Sequence, residues 1–316
     1  MNQKYYPYFR GRQFELLALR EMVLGNLLSD AIVPIVEPVK LSSTLLTTFR
    51  AFNGKKHLIG LVRNPEFGDV VKSLSGLKKD EQFVYIKEFQ APNVRQVVLQ
   101  NRSLSGAMKL FKKQILSHSD RWIALFASPE FLGLSQGFAE EGVIYGTNLI
   151  PDSTKFRRSV TGDKVLFHDC FVKQDRNADY QQSPNEFFSD DHLFAAEEGY
   201  VGTGDFSIIG DEYSDSGFAP YAVAIHIVYE DVKKPGTLRV AHFVSDSNDG
   251  HDDPAGKFFE AAGKLVKWAK SSSVCRSVGL RSIIDAYESE QYPGLGSLKK
   301  FSIMHHLELM SSILSR

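Results

Sequence analysis

Cysteine is scarce in this chain. Only Cys170 and Cys275 occur, far apart and without the histidine spacing of a zinc site, so a disulfide framework and a zinc module are both excluded. Long hydrophobic runs are missing as well. The longest is about eight residues, against the roughly 20 needed to cross a bilayer. Arg10, Arg12, Glu15 and Arg20 interrupt the stretch where a secretory signal would place its apolar centre. These absences predict a soluble, cytoplasmic protein with reduced cysteines and no membrane partner. A dominant charge is lacking too. Lys and Arg number 37 against 38 Asp and Glu, a net charge of −1, which excludes a global basic field for nucleic acid and an acidic tail.

What remains is core-forming material. Hydrophobic residues are 43% of 316, with 23 Phe and 12 Tyr, which rules out general disorder. Strand-like and helix-like patterns alternate along the chain. A helix is predicted over 14–24, a strand over 32–38, and a helix over 41–51 with Ser42 or Ser43 as its cap. Strand 57–63, helix 70–77, strand 83–88 and a long helix over 92–115 follow. Then come strand 122–126, helix 129–141, and strands at 143–149, 164–171 and 200–209. Two further strands, 223–229 and 238–244, flank Lys233-Lys234-Pro235-Gly236-Thr237, which has the chemistry of a hairpin turn. Amphipathic helices are expected over 255–270 and 298–314.

The simplest architecture for this order is one α/β domain over 1–316. It is a TIM-like β/α barrel with an added late β-hairpin and a C-terminal helix within 297–316. A doubly wound open sheet is the alternative, but its glycine fingerprint is missing. The polar stretch 173–198 is longer than usual βα loops and is expected to be a lid loop.

Several segments resemble a known family. They are Tyr6-Pro7-Tyr8, Arg12-Gln13-Phe14-Glu15-Leu16, Pro34-Ile35-Val36-Glu37-Pro38, His168-Asp169-Cys170-Phe171 and Arg176-Asn177-Ala178-Asp179-Tyr180. Gly204-Asp205-Phe206-Ser207-Ile208-Ile209-Gly210, Ala222-Val223-Ala224-Ile225-His226 and His242-Phe243-Val244-Ser245-Asp246 continue the match. In this order they resemble the Beta-protein family, named after a phage protein, and its bacterial branch on mobile elements. The resemblance implies a phage or mobile-element setting, a role in phage–host conflict (defence), and a partner such as a small nuclease encoded nearby. It implies no catalytic residues, because the family is essentially uncharacterised.

Candidate site residues come from the strand ends, where a β/α barrel builds its active site. Glu37, Arg63, Glu88, Asn148, Asp169 and Asp205 fall at the ends of the predicted strands, and Asp246 follows the last. Glu37, Glu88, Asp169 and Asp205 form a candidate divalent-metal set, with Asp169, Asp205 and Glu88 also candidate catalytic acids. Arg63 and Asn148 are candidate substrate-binding groups for a small phosphorylated ligand, as are His226 and His242 on the late hairpin. The competing account is that strand ends are polar because they meet solvent, and that the histidines are hydrogen-bonded structural groups.

Other signals read as structural. Cys170 beside His168 is expected to pack rather than act as a nucleophile. The glycines from Gly199 to Gly210 lack Walker spacing and suit tight bends better than a phosphate cradle. The 246–253 loop looks like a calcium loop, but Lys257 stands where an EF-hand needs glutamate; it is expected to cap the next helix through Asp252 or Asp253. His305 and His306 are expected to be a surface or partner-facing pair. Arg95, Arg102, Lys109, Lys112 and Lys113 lack interleaved aromatics, so direct nucleic-acid binding is not expected. The resulting function is a metal-dependent, phosphoester-hydrolase-like site at the barrel mouth. The alternative is a non-catalytic barrel that binds a partner protein.

Overall fold

The computed structural model describes residues 3–126, 129–213 and 220–316. In chain order the elements are β1 (Lys4–Tyr5), β2 (Tyr8–Phe9), α1 (Gln13–Leu24), β3 (Ile35–Val36), α2 (Ser43–Lys55), β4 (Ile59–Val62), α3 (Val70–Gly76) and α4 (Lys79–Phe89). They continue with β5 (Val94–Leu99), α5 (Leu104–Ser117), β6 (Trp122–Leu125), α6 (Leu132–Glu140), β7 (Thr147–Ile150), α7 (Thr154–Ser159) and β8 (Asp163–Phe167). The last are β9 (Asn185–Ser189), α8 (Asp191–Phe194), β10 (Gly202–Gly204), β11 (Ala224–Glu230), β12 (Leu238–Val244), α9 (Pro254–Ser271), α10 (Val278–Glu288) and α11 (Leu295–Ile313). They group into two compact units, Met1–His168 with Phe194–Asp205, and Asp169–Leu193 with Phe206–Arg316.

The first unit is α/β, a curled parallel sheet flanked by helices. Its order is β1-β10-β8-β7-β6-β5-β4-β3-β2, and every pairing is parallel. The two ends of that order, β1 and β2, are separated in sequence only by Tyr6 and Pro7. Along this stretch the backbone bonds to both sides. Tyr5 N–H donates to Ala31 O and Val33 N–H to Tyr5 O, each at 2.8 Å, while Tyr6 N–H donates to Thr203 O and Tyr8 N–H to Asp205 O, also at 2.8 Å. Gly202 and Gly204 make the second approach feasible. A Cβ there would lie 2.2 Å from Lys4 O and 2.6 Å from Tyr6 O. These glycines therefore serve strand packing.

The helices form where hydrophobic spacing and caps agree. Ser42 accepts a hydrogen bond from Leu45 N–H at 3.1 Å and starts α2, whose Leu45, Phe49 and Phe52 are buried. Replacing Ser42 with Ala removes that acceptor and is expected to cost about 1 kcal/mol, read from the urea midpoint at unchanged slope. Between α5 and the sheet, Val98, Leu104, Met108, Phe111, Ile115 and Trp122 belong to one packed core.

One region reverses the expected assignment. Residues 83–88 are helical, within α4, and the strand β5 lies inside the segment read as helix. Phe83-Val84-Tyr85-Ile86 has strand-like composition, but a short apolar run does not separate strand from helix. Glu81 accepts from Lys78 N–H at 3.2 Å and stabilises the first turn of α4. Only Phe89 of α4 is buried, with its ring 5.1 Å from Phe49. Pro92 disfavours helical backbone at Ala91 and so stops α4, and the valines of Val94-Arg95-Gln96-Val97-Val98-Leu99 pack into the sheet.

The second unit holds the antiparallel sheet β11-β12-β9. The late hairpin is present, with Ala224 to Glu230 paired residue by residue to Val244 to Leu238. Ile225, Ile227, Ala241 and Phe243 join the core formed with α9, α10 and α11. The stretch 173–198, expected to be a loop, contains β9, which pairs with β12. Asp253 caps α9 by accepting from Gly256 N–H at 2.8 Å, as the loop sequence predicts. His305 and His306, expected at the surface, are completely buried. No helix among the described residues is long and apolar enough to cross a membrane.

Candidate functional site

In the first unit, Glu37 follows β3 and has no solvent exposure. Its Oε2 accepts from Tyr8 OH at 2.8 Å and pairs with the Arg10 guanidinium; its Oε1 accepts from Glu66 N–H at 2.6 Å. Arg10 also lies over the rings of Tyr8 and Phe67, at 5.2 and 5.0 Å. Burial, with Glu37 beside it, raises the Tyr8 phenol well above its ordinary pKa, so it stays a donor. Asp205 follows β10 and is also buried; its Oδ1 accepts from Tyr5 OH at 2.7 Å. Among the described residues, Glu37, Glu88 and Asp205 do not form a three-ligand group close enough to share one ion.

The other predicted residues of this unit point elsewhere. Glu88 lies on α4, where Arg50 Nε donates to Oε1 at 3.2 Å and Asn53 Nδ2 to Oε2 at 2.7 Å. It thus ties α4 to α2 rather than standing at a strand end. Asn148 is buried in β7, and its amide donates to Thr161 O at 2.8 Å, bracing the turn before β8. Arg63 follows β4, but its guanidinium bonds Gln96 Oε1 and lies 4.9 Å from the Phe111 ring centre, on the helix-covered side of the sheet.

In the second unit, His226 and His242 are directly opposed across the hairpin, with Nδ1 to Nδ1 at 2.7 Å. Strand alternation takes both off the helix-packed face that Ile225 and Phe243 occupy. Tyr180 lies 4.6 and 4.7 Å from the two imidazoles, and Phe171 lies 5.1 Å from His226. Burial drives both imidazoles down, His226 to about 3 with help from its neighbour His242, and His242 to about 4. Both are therefore neutral at pH 7, and one donates its Nδ1 proton to the other. Behind them, Glu186 Oε2 is 3.7 Å from His242 Nε2, and neither atom has a hydrogen-bond partner among the described residues.

His226 also forms part of the wall of a cavity of about 290 Å³. Asn177, Tyr180, Lys173 and Lys299 line it with polar groups, while Ile208, Ile209, Leu295 and Leu298 give an aliphatic lining. Tyr180 OH accepts from Gln174 N–H at 3.1 Å, which fixes the ring beside the histidines. Lys173 also pairs with Glu212 at 2.7 Å.

Comparison with protein families, curated proteins and solved structures found no match.

Asp169 belongs to this second unit. Its carboxylate accepts from Phe171 N–H at 3.0 Å and Asp211 N–H at 2.8 Å. Burial raises its pKa, partly offset by those two donors. It orders the chain beside Phe171, and through Phe171 it borders the histidine pair. Asp246, the last of the strand-end acids, pairs with Lys264 at 2.7 Å. Sequence reasoning missed Glu186 and Lys299. Glu186 lay in a segment read as loop, and Lys299 is one lysine of a helix whose register the sequence leaves open.

Proposed function

We propose that this protein binds a small organic anion, seated in the second unit's cavity beside His226. The observation that carries this reading is the lining: two lysines and the polar groups of Asn177, Tyr180 and His226 around aliphatic side chains. A volume near 290 Å³ sits at the lower edge of ordinary ligand sites, which fits a metabolite-sized molecule. The lysines favour negative charge on it. The imidazoles favour binding over acid–base chemistry. A general base works best with a pKa near the operating pH, and His226 at about 3 lies far below.

The first unit acts in this proposal as a scaffold, a closed β/α barrel in which residues 4–9 form one strand bonded on both sides. The two-sided hydrogen bonds of Tyr5, Tyr6 and Tyr8 support that closure. A divalent-metal hydrolase at its strand ends would require an ion to displace Arg10 from Glu37, which weighs toward binding. The family resemblance adds a phage or mobile-element setting in the cytoplasm. A protein partner is the second reading, favoured by Phe187, half exposed on the edge strand β9.

Isothermal titration with AMP, glycerol 3-phosphate and citrate tests the first reading. A saturable site is expected for at least one, weakened about 10-fold or more by Lys299→Ala, because a hydrogen bond to a charged group is lost. Absence of binding by all three, or unchanged affinity in the variant, removes it.

A further inference from the structure

The first unit contains a second cavity, separate from the strand-end acids. It also measures about 290 Å³, and its lining is mostly polar, with Trp122 as its apolar wall. Arg63, Arg121, His118, Gln90, Gln96 and Gln114 form most of it, and no carboxylate lines it among the described residues. Gln90 and Arg121 precede β5 and β6. The cavity therefore opens toward the N-terminal side of these strands, away from Glu37 and Asp205, which follow theirs.

The charges in this cavity are unevenly satisfied. Arg121 is committed to backbone: its Nη2 donates to Ala91 O at 2.9 Å and to Gln90 O at 3.2 Å, just past the end of α4. That guanidinium offsets the negative end of the helix dipole. Its Nε is buried without a hydrogen-bond partner among the described residues. Among the described residues Arg63 has only neutral company, the Gln96 amide oxygen and the Phe111 ring. Gln96 itself is buried and held in place, its Nε2 donating to Phe89 O at 2.9 Å. A mostly buried guanidinium without a carboxylate is costly to keep, and packing against one ring does not replace the missing negative charge.

We propose that this cavity is an oxyanion site, in which Arg63 takes a phosphate or carboxylate group and the amides of Gln90 and Gln114 and the imidazole of His118 complete its hydrogen bonds. The ligand differs in kind from that of the second unit. With a mostly polar lining and no aliphatic residue among those described, this cavity suits a compact polar anion, whereas the aliphatic lining beside His226 suits an organic one.

The test is thermal denaturation of the full chain in a non-coordinating buffer, titrated separately with inorganic phosphate and acetate. The wild type should show a saturable rise in Tm of a few degrees with at least one of them. Arg63→Met should melt no lower than wild type without anion, because it removes an unpaired buried charge at similar volume, and should lose the rise. Lys299→Ala should keep it, which separates this site from the other cavity. Should Arg63→Met fail to fold, Gln114→Ala with His118→Ala serves instead, since both side chains are exposed, and its midpoint anion concentration should increase several-fold. A rise that survives these changes, or no rise with either anion, overturns the proposal. The two anions tell a tetrahedral phosphate group from a planar carboxylate.

Discussion

Lowering the pH from 7 to 5 is expected to unfold the second unit. Four imidazoles there are held neutral, chiefly by burial: His226 and His306 near 3, His242 and His305 near 4. His305 shows why. Its Nε2–H donates to Val228 O at 2.7 Å, and its Nδ1 accepts from Ser277 OH at 2.7 Å, so the neutral ring is fully satisfied where it stands. His306 Nδ1 is bonded to Ser207 Oγ at 2.9 Å, with Phe188 edge-on to its ring. In the unfolded chain each imidazole titrates near 6.5. Above that pH both states are neutral and the four contribute nothing to the pH dependence. Below it the unfolded state takes up protons and the native state does not. Stability therefore falls as pH drops from 6.5 toward the native values, by about 1.4 kcal/mol per pH unit for each histidine.

At pH 5 that amounts to about 2 kcal/mol for each ring, and the four together rival the whole stability of an ordinary domain. Other groups alter the slope without reversing it. His192, also depressed by burial, adds to it. Asp169, raised by burial, opposes it as a single group. Lys299 faces His226 and disfavours its protonation, and Glu186 stands 3.7 Å from His242. With Trp122 replaced by Phe, the fluorescence of Trp268, packed between Tyr229 and Phe243, reports on this unit. Urea titrations at pH 7, 6 and 5 should show the steep loss, and His226→Leu with His242→Leu should roughly halve the slope. Equal stability at pH 7 and pH 5 would refute the account.

These histidines also show what a sequence conveys and what it withholds. The turn Lys233-Lys234-Pro235-Gly236-Thr237 makes the hairpin itself a local inference but leaves open whether His226 and His242 face each other, and the structure pairs them directly. The alternation of strands and helices likewise yields the parallel α/β class. Long-range facts are different in kind. That Glu186 stands behind His242 depends on β9 pairing with β12, across a separation no local pattern encodes. His305-His306 reads as a surface or partner-facing pair because two polar side chains in a row give no apolar signal. α11 is instead enclosed along most of its length, so both are covered. Arg63 and Glu88 failed differently. The first stands at a strand end but its long side chain leans back under α5, and the second was read in a strand that is a helix. A strand-end rule locates Cα atoms, and a flexible four-bond side chain decides where the charge goes.

Arg10→Ala should destabilise the first unit by about 3–5 kcal/mol, the usual cost of stranding one member of a buried ion pair. Glu37 has no exposure, and Arg10 is its only cationic partner among the described interactions. Tyr8 and the Glu66 amide would still donate to the carboxylate, at 2.8 and 2.6 Å, but neither carries charge. Adding Glu37→Gln should recover part of the loss, because the amide needs no counter-charge; the non-additivity measures the pair. Arg10→Lys should fall between, since an ammonium keeps the charge but not the flat stacking between Tyr8 and Phe67. The same proteins decide between ion pair and metal site. With Arg10 present, Mg²⁺ or Mn²⁺ should leave the melting temperature of the wild type unchanged, because the oxygens that would ligate them are occupied. A saturable rise in the wild type, lost in Asp205→Asn, would return the strand-end acids to metal binding and reopen hydrolysis as the activity of this unit.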